Sequence, residues 1–456
     1  MRIYEKNNKY WQKKFQEFKK NKMKKNSQIK YNKSINFSKK AEAFIPGGAQ
    51  TFSKSKVHLP EDHSPLVISR ASGYFTWDID GNKYIDLING LLCVLLGHKF
   101  NETDKSIKNQ MKKGISFSLS SDLEYKLAKK MVEIIPSAEM VRFAKNGTDV
   151  NSAAIRVARA FTKKDVVLVC GYHGWQDWYI GSTVRDIGVP DKVKGLTKKI
   201  KYNDIEDLKK KIFENKNNIS CLIMEPLQGN GPKKNYLEEV RKICTKEKII
   251  LIFDEIITGF RISVGGAQEY FNVVPDLSTF GKGLGNGMPI SAIVGKKNIM
   301  KLFEDVFFSG TFGGECLSLA AGLTVVDVVK ENNVPQHLWT LGETLKLGIM
   351  QSLEKHNLST FINLVGLPPW LIFNFNGKKD FSSSMIKTFF LKECFSSGLL
   401  TLGSNNLSYS MTLKTIKKIT KIYDNIFSKL SYIIFEDQIT ELKKIPEIRP
   451  VFSIRK

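Results

Sequence analysis

The run IILIFDEI, residues 249–256, is five bulky apolar residues followed at once by two acids. A nearly continuous apolar run of this length reads as a β-strand covered on both faces. VVLVCGY (166–172), ISCLIMEPL (219–227) and ISAIVG (290–295) have the same character. Amphipathic stretches such as Ile205 to Phe213 lie between them, and this alternation predicts an α/β domain with a mainly parallel sheet flanked by helices. In an open sheet of that kind ligands collect beyond the carboxyl ends of the strands. Tyr172-His173, Glu225 and Asp254-Glu255 each follow a proposed strand directly, so they are candidates to converge on one crevice.

Outward from this core the pattern changes twice. Residues 73–89, GYFTWDIDGNKYIDLIN, read as two short strands around Asp80-Gly81-Asn82, a hairpin-type turn. Beyond about Leu323 come a helical region from 337 to 356, a strand candidate at 370–375, a helical run near 384–396, a short strand around 399–402 and a helix from about 412 to 430. That order predicts a smaller α+β domain joined to the first by a long helix. The expected division is a basic extension (1–40), an N-terminal part of the small domain (41–90), the large domain (91–323), the rest of the small domain (324–435) and a tail (436–456).

With 456 residues, 42% hydrophobic and 25% charged, the chain has the composition of a multidomain globular protein. Six scattered cysteines without a Cys-x-x-Cys pair argue against a disulfide framework or zinc site and suit a reducing compartment. No metal-type histidine spacing occurs, no apolar run reaches the length of a membrane span, and no apolar segment marks a secretory signal. A cytoplasmic location is expected. The net charge of +25 is concentrated: residues 1–40 carry fourteen Lys/Arg against Glu5 and Glu17, with Tyr10, Trp11, Phe15 and Phe18 at helical spacing. A solvated extension is the plain reading and an anionic partner the functional one; no nucleic-acid partner is expected.

The glycine-rich stretch FGKGLGNGMP, residues 280–289, isolates Lys282. It fails the dinucleotide fingerprint, because the sixth position from Gly281 is Asn286, and fails the nucleotide P-loop, because Gly283 follows the lysine. A bland turn and a lysine whose amine itself reacts both remain. Asp254 ends a bulky apolar strand, so its carboxylate is costly unless paired. An Asp and a glycine-nested Lys one β-turn-β excursion apart suit pyridoxal 5'-phosphate, which needs a partner for its ring nitrogen and an amine for its aldehyde. The glycines are expected to leave space for that ring.

The blocks NGTDVNSAAIRVARAFT (146–162), GYHGW (171–175), MEPLQGN (224–230), FDEIITGFR (253–261), STFGKGLGNGMPISAIVG (278–295) and SGTFGGE (309–315) resemble, in this order, the signature blocks of class III aminotransferases, in the branch with glutamate-1-semialdehyde aminomutase. IPGGAQTFSK (45–54) and WDIDGNKYIDL (77–87) fit the same branch, so the resemblance spans about residues 40 to 430. It implies the PLP-dependent transferase fold type I. It further implies that Lys282 forms the internal aldimine and shuttles a proton, that Asp254 pairs with the ring nitrogen, that Gly147 and Thr148 cradle the phosphate and that Tyr172 stacks on the ring. His173 and Glu225 join the cofactor's surroundings, and Thr311 reaches the phosphate of a neighbouring subunit in a homodimer.

Substrate recognition departs from the aminomutases. Thr51 and Lys54 stand where they carry the Ser and Arg that receive a carboxylate; lysine keeps the charge and loses the bidentate fork. LTLGSNNLSYSMT (400–412) lacks the glutamate of a mutase, Asn230 matches, and Gly-Gly-Glu at 313–315 stands where many relatives have Gly-Asn-Pro. The resulting expectation is a ping-pong aminotransferase acting on a small-molecule amino donor and carbonyl acceptor. The alternative is an intramolecular aminomutase, and the remote alternative is an inactive nucleic-acid-binding protein.

Overall fold

Alternate residues of the apolar runs divide between the two faces of one sheet, as the two-residue period of a strand requires. In the computed structural model, which describes residues 29–448 except 379, 437 and 444, β5 (Val166–Cys170) follows an N-terminal sheet of β1 (Ile68–Ser72), β2 (Phe75–Asp78) and β3 (Lys83–Asp86) and the strand β4 (Met140–Ala144). The remaining strands of the large sheet are β6 (Thr197–Lys199), β7 (Ile219–Met224), β8 (Ile250–Asp254), β9 (Leu277–Phe280) and β10 (Ser291–Gly295). Their order is β4-β10-β9-β8-β7-β5-β6. Only β10 runs against its neighbours; the pairs β9–β8, β8–β7, β7–β5 and β5–β6 are parallel.

Val167, Val169, Cys221, Ile223, Ile250 and Ile252 pack on one face with Val150, Ala153, Ala154, Val157 and Ala158 of the helix Gly147–Thr162. Val166, Leu168, Leu222, Met224, Leu251 and Phe253 pack on the other with Leu208, Leu237, Val240 and Cys244 of the helices Ile205–Glu214 and Tyr236–Lys246. β5, β7, β8 and β10 are therefore buried at every position. Each fully buried Leu or Ile contributes about 1.5–3 kcal/mol, so this double-sided burial holds the strand ends in fixed register. Cys170 pairs with Met224, Met224 with Phe253 and Asp254 with Thr279, which aligns the residues that follow them along one edge.

The smaller part closes on itself across the chain. β11 (Ile362–Val365) and β12 (Trp370–Phe375) form one antiparallel pair, while β13 (Leu399–Leu400) runs parallel to β3 and joins the N-terminal sheet. β14 (Ser404–Asn406) completes the sheet of β11 and β12. Phe390, Tyr423 and Phe427 stack between the helices Ser383–Ser396 and Leu413–Phe435. The linking helix begins at Val334, three residues before the expected start, with Pro335 in its first turn where no N–H acceptor exists to be lost. Arg261 crosses from the large domain: its Nη1 donates to Leu407 O at 2.8 Å and Pro369 O at 3.2 Å from a fully buried position.

The sequence reading names no strand at β1, β4, β6, β11 or β14, and two of these share a physical reason. β1 (ISRAS) is almost wholly exposed and β14 is polar, so neither shows apolar alternation. β14 is fixed instead by side-chain bonds, with buried Asn405 accepting from Tyr423 Oη at 2.8 Å. Within the stretch expected to be a basic extension, Asn32–Ala41 is a helix whose first turn is capped from the hairpin: Asp80 accepts the N–H groups of Lys33 and Ser34 at 2.8 Å each. The aromatic positions Tyr10, Trp11, Phe15 and Phe18, like most of the basic residues of that stretch, lie outside the described residues. Asp80→Ala removes both capping acceptors and is expected to cost about 1 kcal/mol, the usual worth of a cap, and to open residues 30–45 to limited proteolysis; a protease pattern identical to wild type would contradict this role.

Candidate active site

Along the carboxyl edge of the sheet, β8 ends in Asp254, and the register that buries Phe253 turns the Asp254 side chain to the opposite face, where it is about 4% exposed. Burying a charge there demands donors. Asn151 Nδ2 donates to Asp254 Oδ2 at 2.8 Å, His173 Nδ1 approaches the same oxygen at 2.8 Å, and Ile256 N donates to Oδ1 at 3.1 Å. Asn151 is itself fixed by accepting from Thr279 Oγ1 at 2.7 Å and donating to His173 O at 3.2 Å. A carboxylate has about four acceptor positions, so roughly one is left for a further N–H. Glu255, the next residue, points away: it accepts from Ala267 N at 2.7 Å and Gln268 N at 2.8 Å and from the Thr258 hydroxyl. The convergence expected of the Asp254-Glu255 pair therefore holds for one acid only, because successive strand residues face opposite sides.

Lys282 opens a single 3-10 turn, Lys282–Gly285, after β9. Its φ of 41° is left-handed, a strain on the order of 1–3 kcal/mol for a residue with a side chain. Burial pushes its amine below the usual lysine range, against the opposing pull of Asp254 and Glu225. Two of the neighbouring glycines have protein side chains against them. A Cβ on Gly283 would stand 3.3 Å from Leu95, and one on Gly285 2.8 Å from Ile290 Cγ2, so they admit protein side chains that press the turn inward.

Gly147 and Thr148 are the first two residues of the helix Gly147–Thr162, where backbone N–H groups have no intrahelical acceptor. Asp149 accepts the N–H of Asn146 at 2.8 Å, and Thr148 Oγ1 accepts that of Trp175 at 3.3 Å. Gly174, at φ +109°, must lack a side chain, since a Cβ would fall 2.4 Å from Thr148 Oγ1. The N-terminus thus offers free donors and positive dipole to an anion. Tyr172 is about half exposed at the end of β5, its ring edge-on to Tyr179 with centroids 5.7 Å apart, and its N–H donates to Glu225 Oε2 at 3.2 Å. His173 is fully enclosed behind Asp254 and stacks on Trp178.

Other expected residues stand further out. Thr51 and Lys54 are exposed on a loop before and within the turn Phe52–Lys54, where the Arg185 guanidinium lies 4.7 Å from the centre of the Phe52 ring. Burial raises the Cys93 thiol pKa while Lys54 and Lys282 both lower it, which brings all three into one electrostatic neighbourhood. Asn230 is exposed on the loop after β7, and Thr311 is exposed between Gly310 and Phe312. Sequence reasoning missed Asn151, Cys93 and Arg185. Asn151 alone carried a signal: it lies four residues after Gly147, a polar residue on the inward stripe of an otherwise apolar helix.

Burial also pushes the Glu225 carboxyl up to about 7, with nearby Asp254 adding to the rise and His173 and Lys282 opposing it. A raised acid stabilises the fold while protonated, and that contribution falls as pH climbs from the ordinary 4.5 through about 7. Glu225→Gln removes the penalty. The melting temperature of the cofactor-free variant, relative to wild type, should therefore be higher at pH 8 than at pH 5; an equal difference at both would contradict the raised carboxyl.

An amine at reduced pKa, a carboxylate with one open acceptor and a helix N-terminus along one edge fit an aromatic phosphate cofactor with a carbonyl group. The description Aminotransferase class-III matches residues 57–421. Glutamate-1-semialdehyde 2,1-aminomutase of Methanosphaera stadtmanae is 39% identical over 374 residues, 78% of this chain and 86% of that protein. The enzyme of the same name from Thermosipho melanesiensis is 39% identical over 360 residues, 74% of this chain and 83% of its own. Among solved structures, the PLP internal aldimine form of the FumI protein of a Sphingopyxis species superposes with TM-score 0.82 at 24% identity, covering 88% of this chain and 97% of that one. A glutamate-1-semialdehyde-aminomutase from Pseudomonas aeruginosa gives 0.77 at 19%, covering 88% and 95%. The fold matches theirs, and on the extent of the sequence match the chain belongs to the class III aminotransferases.

Proposed function

We propose that the chain uses pyridoxal 5'-phosphate to move an amino group from a small-molecule donor to a carbonyl acceptor, the donor's keto product leaving before the acceptor binds. The observation that carries this reading is the buried Lys282 amine, held at lowered pKa within electrostatic reach of Asp254 and Glu225. When bound, the cofactor supplies an aldehyde for the amino group and a ring that draws electron density from the substrate carbon.

The chain's own residues supply the rest. Lys282 Nζ, its pKa lowered by burial, takes a proton from that carbon and returns it. Asp254 accepts the ring N–H at its open position, while Asn151 Nδ2 and Ile256 N donate to the carboxylate and His173 Nδ1 stands 2.8 Å from it. Gly147 and Thr148 hold the phosphate with N–H groups and a hydroxyl, Tyr172 covers one face of the ring, and Glu225 orders Tyr172 through its N–H. His173 acts through Asp254. Thr51, Lys54 and Asn230 meet the substrate, with Arg185 over Phe52 as a further cation for an anionic group.

Thr311 serves the phosphate of the neighbouring subunit in a homodimer. This is supported by a run of exposed apolar side chains around it: Phe117, Leu119 (86% exposed), Tyr125, Phe307 (78%) and Phe312. Cys316 N donates to Ile115 O at 2.8 Å, which joins their two loops into one face. Such a patch on a free monomer marks a contact surface. The enzyme would work in the cytoplasm; no described helix is long and apolar enough to cross a membrane.

A second reading, the intramolecular aminomutase, is favoured by the names of the relatives at 39% identity. Against it stand Thr51 and Lys54, since a lysine cannot grip a carboxylate bidentately. Steady-state kinetics separate the two: transfer requires both a donor and an acceptor and gives parallel double-reciprocal lines, whereas stoichiometric isomerisation of one semialdehyde without a second amino compound would establish the mutase. Asp254→Asn keeps the shape and removes the charge, and is expected to lower kcat by about a hundredfold or more with cofactor still bound; an active variant would contradict the assignment. Lys282→Ala should abolish turnover and the visible absorption of bound cofactor.

A further inference from the structure

The loop 305–315, which carries Thr311, is gripped by three cations from the β4 and Gly147–Thr162 unit. Arg142 Nη2 donates to Phe308 O at 2.7 Å, Arg156 Nη1 donates to Phe307 O at 2.8 Å, and Lys145 Nζ lies 2.9 Å from Glu315 Oε2. The last pair is well enclosed, with side chains 18% and 12% exposed, so solvent and salt screen it weakly. Glu315 also caps the helix Cys316–Glu331, accepting from Leu317 N at 2.6 Å, Ser318 N at 3.2 Å and Ser318 Oγ at 2.6 Å. Its carboxylate is therefore rigid on one side and bound to Lys145 on the other.

The two partners stand next to different halves of the phosphate machinery. Lys145 immediately precedes Asn146-Gly147-Thr148, the cradle assigned to the chain's own cofactor, and Glu315 follows Thr311 by four residues. Gly310, Gly313 and Gly314 give the intervening loop little stiffness of its own. A hydroxyl contact with phosphate is made only near about 2.7 Å, so the loop needs an anchor.

We propose that Glu315, through Lys145, is a positioning residue that sets Thr311 for the cofactor phosphate of the neighbouring subunit, so that a rigid unit of each chain fixes one half of its own site and one half of its partner's. The proposal rests on the homodimer and cofactor readings above. Its distinctive consequence is directional: loss of the ion pair harms the partner's site more than the subunit's own.

Mixed dimers of differently tagged chains test this. Lys282→Ala in one subunit leaves a single lysine able to give the visible absorption of bound pyridoxal 5'-phosphate, and titration of the cofactor-free dimer then reports affinity at that site alone. Glu315→Gln is the variant of choice, because its side-chain oxygen still caps the helix. Placed on the Lys282→Ala subunit, it should weaken binding at the wild-type lysine about tenfold, the loss of one charge-assisted contact. Placed on the lysine-bearing subunit, it should change affinity by less than about twofold. Lys145→Met on the Lys282→Ala subunit should reproduce the first result without the capping change. Equal losses in both arrangements, or no loss in either, would overturn the proposal. Sedimentation of the wild-type protein as a monomer would overturn the homodimer reading and the proposal with it, whereas a dimer that binds no cofactor would overturn the cofactor reading.

Discussion

A carboxylate cannot be left unpartnered inside a protein, and the arrangement around Asp254 follows from that constraint. Its oxygens are held by Asn151, His173 and the N–H of Ile256, and Asn151 is held in turn by Thr279 of the adjoining strand. Each of these partners comes from a different element: the helix Gly147–Thr162, the loop after β5, the loop after β8. The network therefore needs the strand ends in register, and the register is provided by apolar burial on both faces of the sheet. Close packing of that network also dictates backbone choices, such as Gly174 lying where any side chain would collide with Thr148.

The same crevice holds Lys282 in a strained, left-handed conformation. Its turn is pressed inward by Leu95 and Ile290, while Asn286 accepts from Leu96 N at 2.8 Å and donates to Gly97 O at 3.0 Å. Segments 95–97 and 282–290 thus lock each other, which stabilises a conformation that lysine alone would avoid. Burial also lowers the pKa of its amine. Arg261 extends the link to the small domain by giving its guanidinium to the carbonyls of Leu407 and Pro369. Arg261 is also among the charges that act on the Lys282 amine.

Membership of the class III family covers residues 57–421, and several residues proposed for the substrate lie at the surface of that span or just before it. Thr51, Lys54, Asn230 and Arg185 lie on exposed loops, where changes cost little stability. Beside Phe52, the Arg185 guanidinium lies 4.7 Å from the ring centre, and Lys54 closes the same short turn.

The sequence by itself determined the alternation of buried strands and helices, the hairpin around Gly81, the prominence of Lys282 and Asp254 and the family resemblance. All of these are written in local pattern: a two-residue or helical period, a turn dipeptide, an isolated lysine among glycines. It did not reveal β4, β6 or β11, nor β1 and β14, whose exposed or polar residues lack such a period, and it did not show that Leu95 and Ile290 pack against Gly283 and Gly285. Only the tertiary structure decided that Asn151 supports Asp254, that Glu255 faces away from it, and that Lys145 pairs with Glu315 across 170 positions. Those contacts depend on which strand edges and helix faces are brought together, and charge pairing at such separations leaves no periodic trace along the chain.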